Sequence, residues 1–380
     1  MMSTIEPIGR LQFFFFLTMS MVVGGVFLWP QAVLSKAANN SLWAICGSIM
    51  LALIITFALF VWMSLTDPGI FADRLKQTWG FLAWPWMLIY ALLRMVVDTA
   101  LLTLFAQMIT TVFYPMTPLW VLKLLVLIEA GWFGGRQLPV LSRNIQFWFP
   151  VLASSFFLLS IWSFGDVQNS WALWPSPHVV LTPVMQAVIG TWFLWTQNDV
   201  LVTISHFLRP AKAALMRKLV VAAIGLQSVV LFVIYVVTVG SIGPEAVMSL
   251  RWPLVYVLSN VSSHTFYLSR PGLIIMLTWT GGMVFFSATH LFSLSINLSQ
   301  LISQSYRLAP YISWGAALAE FAASFLLPTP IVASHIVLDL FDPVDITVIS
   351  LMLTLSIIIR LFALRKRNRS GERKSTEVHP

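Results

Sequence analysis

Among the ionisable residues that interrupt long apolar runs of this 380-residue chain are Arg94, Asp98, Lys123, Glu129, His290 and Glu320. A charge at the middle of a bilayer costs about 2.5 kcal/mol or more, so each asks for a partner or a task. Arg94 and Asp98 are four residues apart and share one helical face. They read either as a self-neutralising pair that holds a bundle together or as a gate or coupling pair beside a ligand. Glu320 sits among apolar neighbours with no partner nearby, and is either protonated, paired with a distant helix, or part of a relay. Glu129 lies close to Gly134 and Arg136, which puts it near the end of its apolar run. His290 lies in SATHLFSLSINLS, a stretch whose Ser and Asn residues suit contacts between helices or hydroxyls offered to a cation.

A second kind of chemistry comes from bared main chain. In lipid, unwound backbone is tolerated only where protein or a cavity satisfies it, so an interrupted span points to a binding site. The run FFFFLTMSMVVGGVFLWPQAVL carries Gly24-Gly25 near its middle and Pro30 soon after. Gly costs up to about 1 kcal/mol and Pro about 3 kcal/mol inside a helix. An unwound stretch is expected over Val23, Gly24, Gly25, Val26 and Phe27, with a close helix contact through small residues as the alternative. The run VVLTPVMQAVIGTWFLWTQNDVLVTISHFL is interrupted at Gly190, Thr191 and Trp192, and Thr196, Gln197, Asn198 and Asp199 follow. Amides at half-helix starts can hold a carboxylate, and carbonyls at half-helix ends can hold an ammonium or a cation. Together the two breaks describe a site for a zwitterion.

The elements that must position these groups are membrane helices. Hydrophobic residues make up 58% of the chain and charged residues 9%. Soluble domains carry roughly 25% charged residues, so this chain cannot cover a water-facing surface. Ten candidate spans occur at about 11–35, 41–64, 79–112, 118–134, 145–165, 179–208, 219–241, 271–297, 309–327 and 344–364. A span needs about 20 mostly apolar residues. The first is too long for a signal-peptide core and is read as retained. An even number puts both termini on one side. With the termini cytoplasmic, 17 basic residues fall inside, 3 outside (Lys36, Arg251, Arg270), and Arg94 and Lys123 lie within spans. That is the positive-inside pattern.

The +8 net charge therefore reports topology and needs no nucleic acid. The loop before the last span reads as acidic, with Asp339, Asp342 and Asp345. The tail 365–380 is a basic cytoplasmic segment suited to anionic lipid of the bilayer. Ten spans divide as five plus five, about 11–165 and 179–364, and two odd-numbered halves insert with opposite topology, as inverted repeats do. The breaks then fall in the first span of each half.

Cys46 is the only cysteine, which excludes an intramolecular disulfide and a multi-cysteine metal site. No G-x-S-x-G, H-E-x-x-H or G-x-x-x-x-G-K-S/T occurs, so neither a catalytic centre, a metal site nor a cofactor is expected.

Several segments, in order, resemble the spore germination B subunits, the permease-like components of nutrient germinant receptors. They are IGRLQFFFFLTMSMVVGGVFLWPQAVLSKAANNSLWAI, LLRMVVDTALLTLF, MTPLWVLKLLVLIEAGWFGGRQLPVLSR, RWPLVYVLS and FYLSRPGLIIMLTW. Where that family places an acidic residue after the Arg opening span 8, this chain has Pro271. The resemblance implies an amino acid–polyamine–organocation transporter architecture: all-α, LeuT/APC-like, a five-plus-five inverted repeat with helices 1 and 6 broken. It implies a multi-pass protein of the spore inner membrane working with an A-type membrane subunit and a C-type lipoprotein. It implies a small nutrient ligand, such as an amino acid, bound near Gly24, Gly25, Val26, Gly190 and Thr191. The rival reading is a permease moving an amino acid with H⁺ or Na⁺. Some proton-coupled members of that superfamily use a Lys in span 5. The run SRNIQFWFPVLASSFFLLSIWSF has none, which leans towards sensing.

Overall fold

A computed structural model of the chain describes residues 5–22, 24–210, 212–259 and 272–376. Val23, Arg270 and Pro271 lie outside the described residues. Every named element is helical. In chain order they are α1 (Arg10–Val22), α2 (Trp29–Ala37), α3 (Ser41–Ser64), α4 (Phe71–Trp79), α5 (Ala83–Val112), α6 (Leu119–Gly134), α7 (Leu138–Ser163), α8 (Leu181–Ile189), α9 (Asn198–Ser205), α10 (Ala213–Ile242), α11 (Pro244–Ser249), α12 (Pro253–Ser259), α13 (Gly272–Ser303), α14 (Ala309–Ala323), α15 (Pro330–His335) and α16 (Asp342–Thr376). A π-helical turn, Ile336–Phe341, joins the last two.

Among the described residues six stretches are individually long and apolar enough to cross a membrane: Trp29–Ser64, Phe71–Val112, Leu138–Asp166, Ala213–Ile242, Trp279–Ser303 and Pro330–Lys366. Their lipid-compatible surface is plain in exposed side chains such as Phe57, Leu92, Phe147, Val229 and Phe362. With no lipid-to-water difference to drive helices together, close packing and buried hydrogen bonds must do so. The bundle shows both.

The central member is α13. Along it Ser287, Thr289, His290, Ser293, Ser295, Asn297 and Ser299 are all buried. A helix this polar is tolerable at membrane depth only when protein surrounds it. Helices α6, α14, α1, α7 and α5 do so. Gly131 and Gly134 let α6 approach closely: a Cβ on Gly134 would stand 2.8 Å from both Leu291 Cβ and Ser313 Oγ. Ser313 uses that proximity to donate to the Gly131 carbonyl at 3.0 Å. Lys123 of α6 is buried and donates to the Ser324 carbonyl beyond α14 at 2.9 Å. Its charge is thus spent on closing a helix end. Glu129 is exposed.

The end of the bundle that carries Ile8 and Arg360 is tied by main-chain and side-chain bonds. Ile8 pairs with the segment after α9: its amide donates to the Phe207 carbonyl at 2.9 Å, and the Arg209 amide donates to the Ile8 carbonyl at 3.0 Å. Short helix α4 docks there on α13, where the Ala72 amide donates to Asn297 Oδ1 at 2.8 Å and Gln300 donates to Asp73 at 3.0 Å. Arg360 of α16 donates to the Leu65 carbonyl at 2.8 Å.

One expectation needs correction. The residues before 344 do not form an acidic outer loop. Helix resumes at Pro330 and continues through the π turn into α16, so Asp342 and Asp345 lie on a helix and are fully buried. The physical reason is Pro343. It has no amide to donate, and the helical ladder widens into the π turn immediately before it instead of stopping.

Candidate ligand site at the paired helix interruptions

The first interrupted helix stops at Val22 and resumes at Trp29. Gly25 has φ +121°, a conformation that L side chains rarely adopt. Its carbonyl accepts from the amides of Leu28 at 2.9 Å and Trp29 at 3.2 Å, which restarts the helix as α2. The second stops at Ile189 and resumes at Asn198, with one 3₁₀ turn, Trp192–Trp195, between. Thr191 returns its hydroxyl to the Ala187 carbonyl at 2.9 Å and closes the end of α8.

The two interruptions meet. A Cβ on Gly25 would lie 2.4 Å from the Phe193 ring, and one on Gly24 would lie 2.1 Å from the Phe286 ring of α13. Gly25 is therefore required by both backbone shape and space, and Gly24 by space. Phe27 packs edge-on against Trp252, ring centres 5.7 Å apart, and also beside Phe105. Val26 turns the other way, into an apolar cavity shared with Met19, Leu152, Phe156, Val230 and Trp279.

Beside the second interruption stands Arg94 of α5, buried. Its Nη1 donates to the Thr196 carbonyl, a main-chain group bared by the break. Its Nη2 pairs with Asp345 Oδ1 at 2.7 Å. The other Asp345 oxygen accepts from the Trp192 indole at 2.8 Å. The Tyr90 ring lies under the guanidinium, 4.9 Å from ring centre to Cζ. One carboxylate from α16 thus joins the guanidinium of α5 to the broken helix.

Asp98 has a different partner from the one its spacing suggested. His290 Nδ1 lies 3.1 Å from Asp98 Oδ1, close enough for an ion pair but off the alignment of a hydrogen bond. Glu320 of α14 is buried within the electrostatic reach of Asp98, and its Oε2 has no hydrogen-bond partner among the described residues. The sequence-derived residues therefore fall into two adjoining groups. Gly24, Gly25, Gly190, Thr191, Trp192 and Arg94 gather at the interruptions, and Asp98, His290 and Glu320 form a second buried node. The tight α5 spacing of Arg94 and Asp98 supplies one residue to each.

Below the second break, Asp199 Oδ2 accepts from Ser293 at 2.7 Å, and Asn297 donates to Thr203 at 2.7 Å. Above it, Lys36 at the end of α2 crosses Gly190. It donates to the Leu338 carbonyl at 3.1 Å and pairs with Asp339 Oδ1 at 3.0 Å, while His335 Nδ1 lies 2.6 Å from the other Asp339 oxygen. A Cβ on Gly190 would stand 2.5 Å from Lys36 Nζ. The Lys36–Asp339 pair thus ties α2 to the π turn beside Gly190, while the Ile8 pairing ties the segment after α9.

Sequence reading missed Lys36, Asp342 and Asp345. The available signal was that Asp342 and Asp345 lie three residues apart between apolar residues on both sides, which suits one buried helical face. Among the described residues no group of three or more His, Cys, Asp or Glu side chains could hold a metal ion.

The arrangement of helices is shared with solved membrane proteins. The structure of MhsT with L-phenylalanine aligns at TM-score 0.62 and 14% identity, over 95% of this chain and 97% of that one. The closed form of Mhp1, a nucleobase-cation-symport-1 family transporter with bromovinylhydantoin, aligns at TM-score 0.60 and 13% identity, over 95% and 93%. These likenesses show the fold, an all-helical LeuT/APC-type bundle in a multi-pass membrane protein. The chain belongs to the spore germination protein family, whose spore permease pattern matches residues 8–319. A sequence comparison with curated proteins gives no match.

Proposed function

We propose that this chain is the membrane subunit of a spore nutrient germinant receptor, with its ligand site where the α1/α2 and α8/α9 interruptions meet. The observation that carries this is the contact of Gly25 with Phe193, which joins two bared main-chain stretches inside one bundle. Family membership supports a role in spore germination. The fold is shared with a transporter solved with an amino acid, L-phenylalanine, which supports a small nutrient such as an amino acid as ligand. Both termini face the cytoplasm and the protein resides in the spore inner membrane, with an A-type membrane subunit and a C-type lipoprotein reading its state. The ligand acts by its differential affinity for two packings of the bundle.

The rival, an H⁺- or Na⁺-coupled amino acid permease, draws support from the same fold and from the buried Asp98, His290 and Glu320 node. Counterflow of labelled amino acids in proteoliposomes separates the two. No saturable exchange, together with loss of nutrient-triggered germination in Gly25→Leu spores, fits the receptor. Saturable exchange by the isolated chain rejects a pure sensor, and normal germination in Gly25→Leu spores rejects the site.

A further inference from the structure

Asp342 is the first residue of α16, and it is fully buried. Neither of its oxygens makes a well-aligned hydrogen bond among the described residues, and the donors that face it are main-chain amides. Its surroundings explain where it points. The main-chain amides of Trp192 and Phe193, at the start of the 3₁₀ turn in the second interruption, lie beside it. Asp345 is its nearest charged neighbour on α16, and Lys36 acts on it from α2.

Those neighbours compensate it only in part, through the Trp192 and Phe193 amides and the charge of Lys36. Arg94 and the Trp192 indole are both committed to Asp345. Lys36 is committed to Asp339 and to the Leu338 carbonyl. Asp199 and Asp98 add further carboxylates within the field of Arg94. The region therefore holds more buried acid than buried base, and an isolated buried carboxylate is costly unless a cation or a proton joins it. The π turn before Asp342 adds an independent sign, since such turns recur where a helix re-aims a functional side chain.

We propose that Asp342 anchors a positively charged group in the ligand site: the ammonium of a small amine or amino acid, or a bare alkali cation. This deepens the germinant-site reading and rests on it. The carboxylate beside the bared amides of the second interruption comes from the protein, so the ligand enters there with its cationic end. A zwitterion places its own carboxylate towards the α1/α2 interruption instead. Lys36 closes the space above the bound group and leaves when α2 and α15 part.

The full chain in lipid nanodiscs tests this through melting midpoints measured against ethylammonium chloride, L-alanine, sodium propionate, KCl and NaCl. Bulky tetrabutylammonium chloride is the control. Ethylammonium, alone or with L-alanine, stabilises saturably if the ligand is an organic ammonium, and KCl or NaCl does so if it is an alkali cation. Asp342→Asn, which keeps the side-chain volume, weakens that binding at least tenfold and melts no lower than the parent without ligand. Gly225→Ala, in open space on α10, binds as the parent does. Stabilisation by the propionate anion alone, no saturable response to any cationic probe, or parental binding by Asp342→Asn overturns the assignment. Gly190→Leu separates the two levels. If it binds as the parent while Asp342→Asn does not, the germinant-site reading fails and Asp342 remains a cation anchor. If it loses binding while Asp342→Asn keeps it, the site stands and Asp342 is not its anchor.

Discussion

Arg94 of α5 takes Asp345 of α16 as its partner, 251 residues away in sequence, although Asp98 lies one turn along its own helix. The pair is fully buried and its remaining donors and acceptors reach Thr196 and Trp192 on the broken helix. Removing one member of such a pair strands the other charge, which costs about 3–5 kcal/mol. Asp345→Asn is therefore expected to lower the melting temperature of the purified protein strongly. Asp98→Asn leaves Arg94 held and has the smaller effect. A double replacement, Arg94→Met with Asp345→Leu, recovers part of the stability, because it strands no charge but leaves the Thr196 carbonyl and the Trp192 indole without their partners. Equal loss in Asp345→Asn and Asp98→Asn would count against the pairing.

The membrane class, the run of apolar segments and the positions of both interruptions follow from local composition: Gly24-Gly25 before Pro30, and Gly190-Thr191 within an overlong run. These features are written within a dozen residues, and the bilayer makes their cost visible. The partner of Arg94 is not legible in that way. Spacing favours Asp98, and only the packing of α5 against the helix formed by α15, the π turn and α16 brings Asp345 to it. Pro343 and three nearby aspartates mimic a loop, and the π turn that hides two of them leaves no periodic signature. Lys36 reads as an ordinary outer charge until Gly190 is seen to make room for it.

Gly25 combines a positive φ with a would-be Cβ 2.4 Å from Phe193. Strain of this kind costs about 1–3 kcal/mol before the clash is counted. Gly25→Ala is expected to lower thermal stability and to blunt nutrient-triggered germination. Phe193→Ala in the same chain relieves the clash while the strain remains, so it restores stability only in part. Germination assays and melting curves on the single and double variants measure the two contributions. Full recovery in the double variant would place the whole effect in the clash.

Lys36 and Asp339 meet at the partly exposed end of the site, with Asp339 about half exposed. Exposed ion pairs contribute about 0–1 kcal/mol, so Asp339→Asn should barely shift the melting temperature. Its effect belongs to access. Without Asp339, Lys36 of α2 keeps its bond to the Leu338 carbonyl but loses its ion pair, and ligand entry and exit both quicken. Germination that responds faster to nutrient and falls off faster on its removal is the expected readout. A large stability loss with unchanged response would show the pair to be structural.

Glycines elsewhere give the cleanest contrast between packing and propensity. Gly134 ends α6 where α13 and α14 converge, and any side chain there meets Leu291, Ser313 and the Phe292 amide within 3.2 Å. Two of these contacts are rigid, a Cβ and a main-chain nitrogen, so neither can swing aside. Overpacking of this kind costs about 1–3 kcal/mol, and Gly134→Val should reach or exceed that range, because it parts the helices that shelter the polar face of α13. Gly225 of α10 and Gly315 of α14 have nothing within 4 Å of a built Cβ. There Ala removes the flexibility of glycine and gains up to about 1 kcal/mol of helix propensity. Gly225→Ala and Gly315→Ala are expected to melt at or above the parent temperature while Gly134→Val melts well below it, and all three are read on one calorimetric scan in the same lipid. Destabilisation by Gly315→Ala as severe as that by Gly134→Val would mean that α14 packs against a further protein surface.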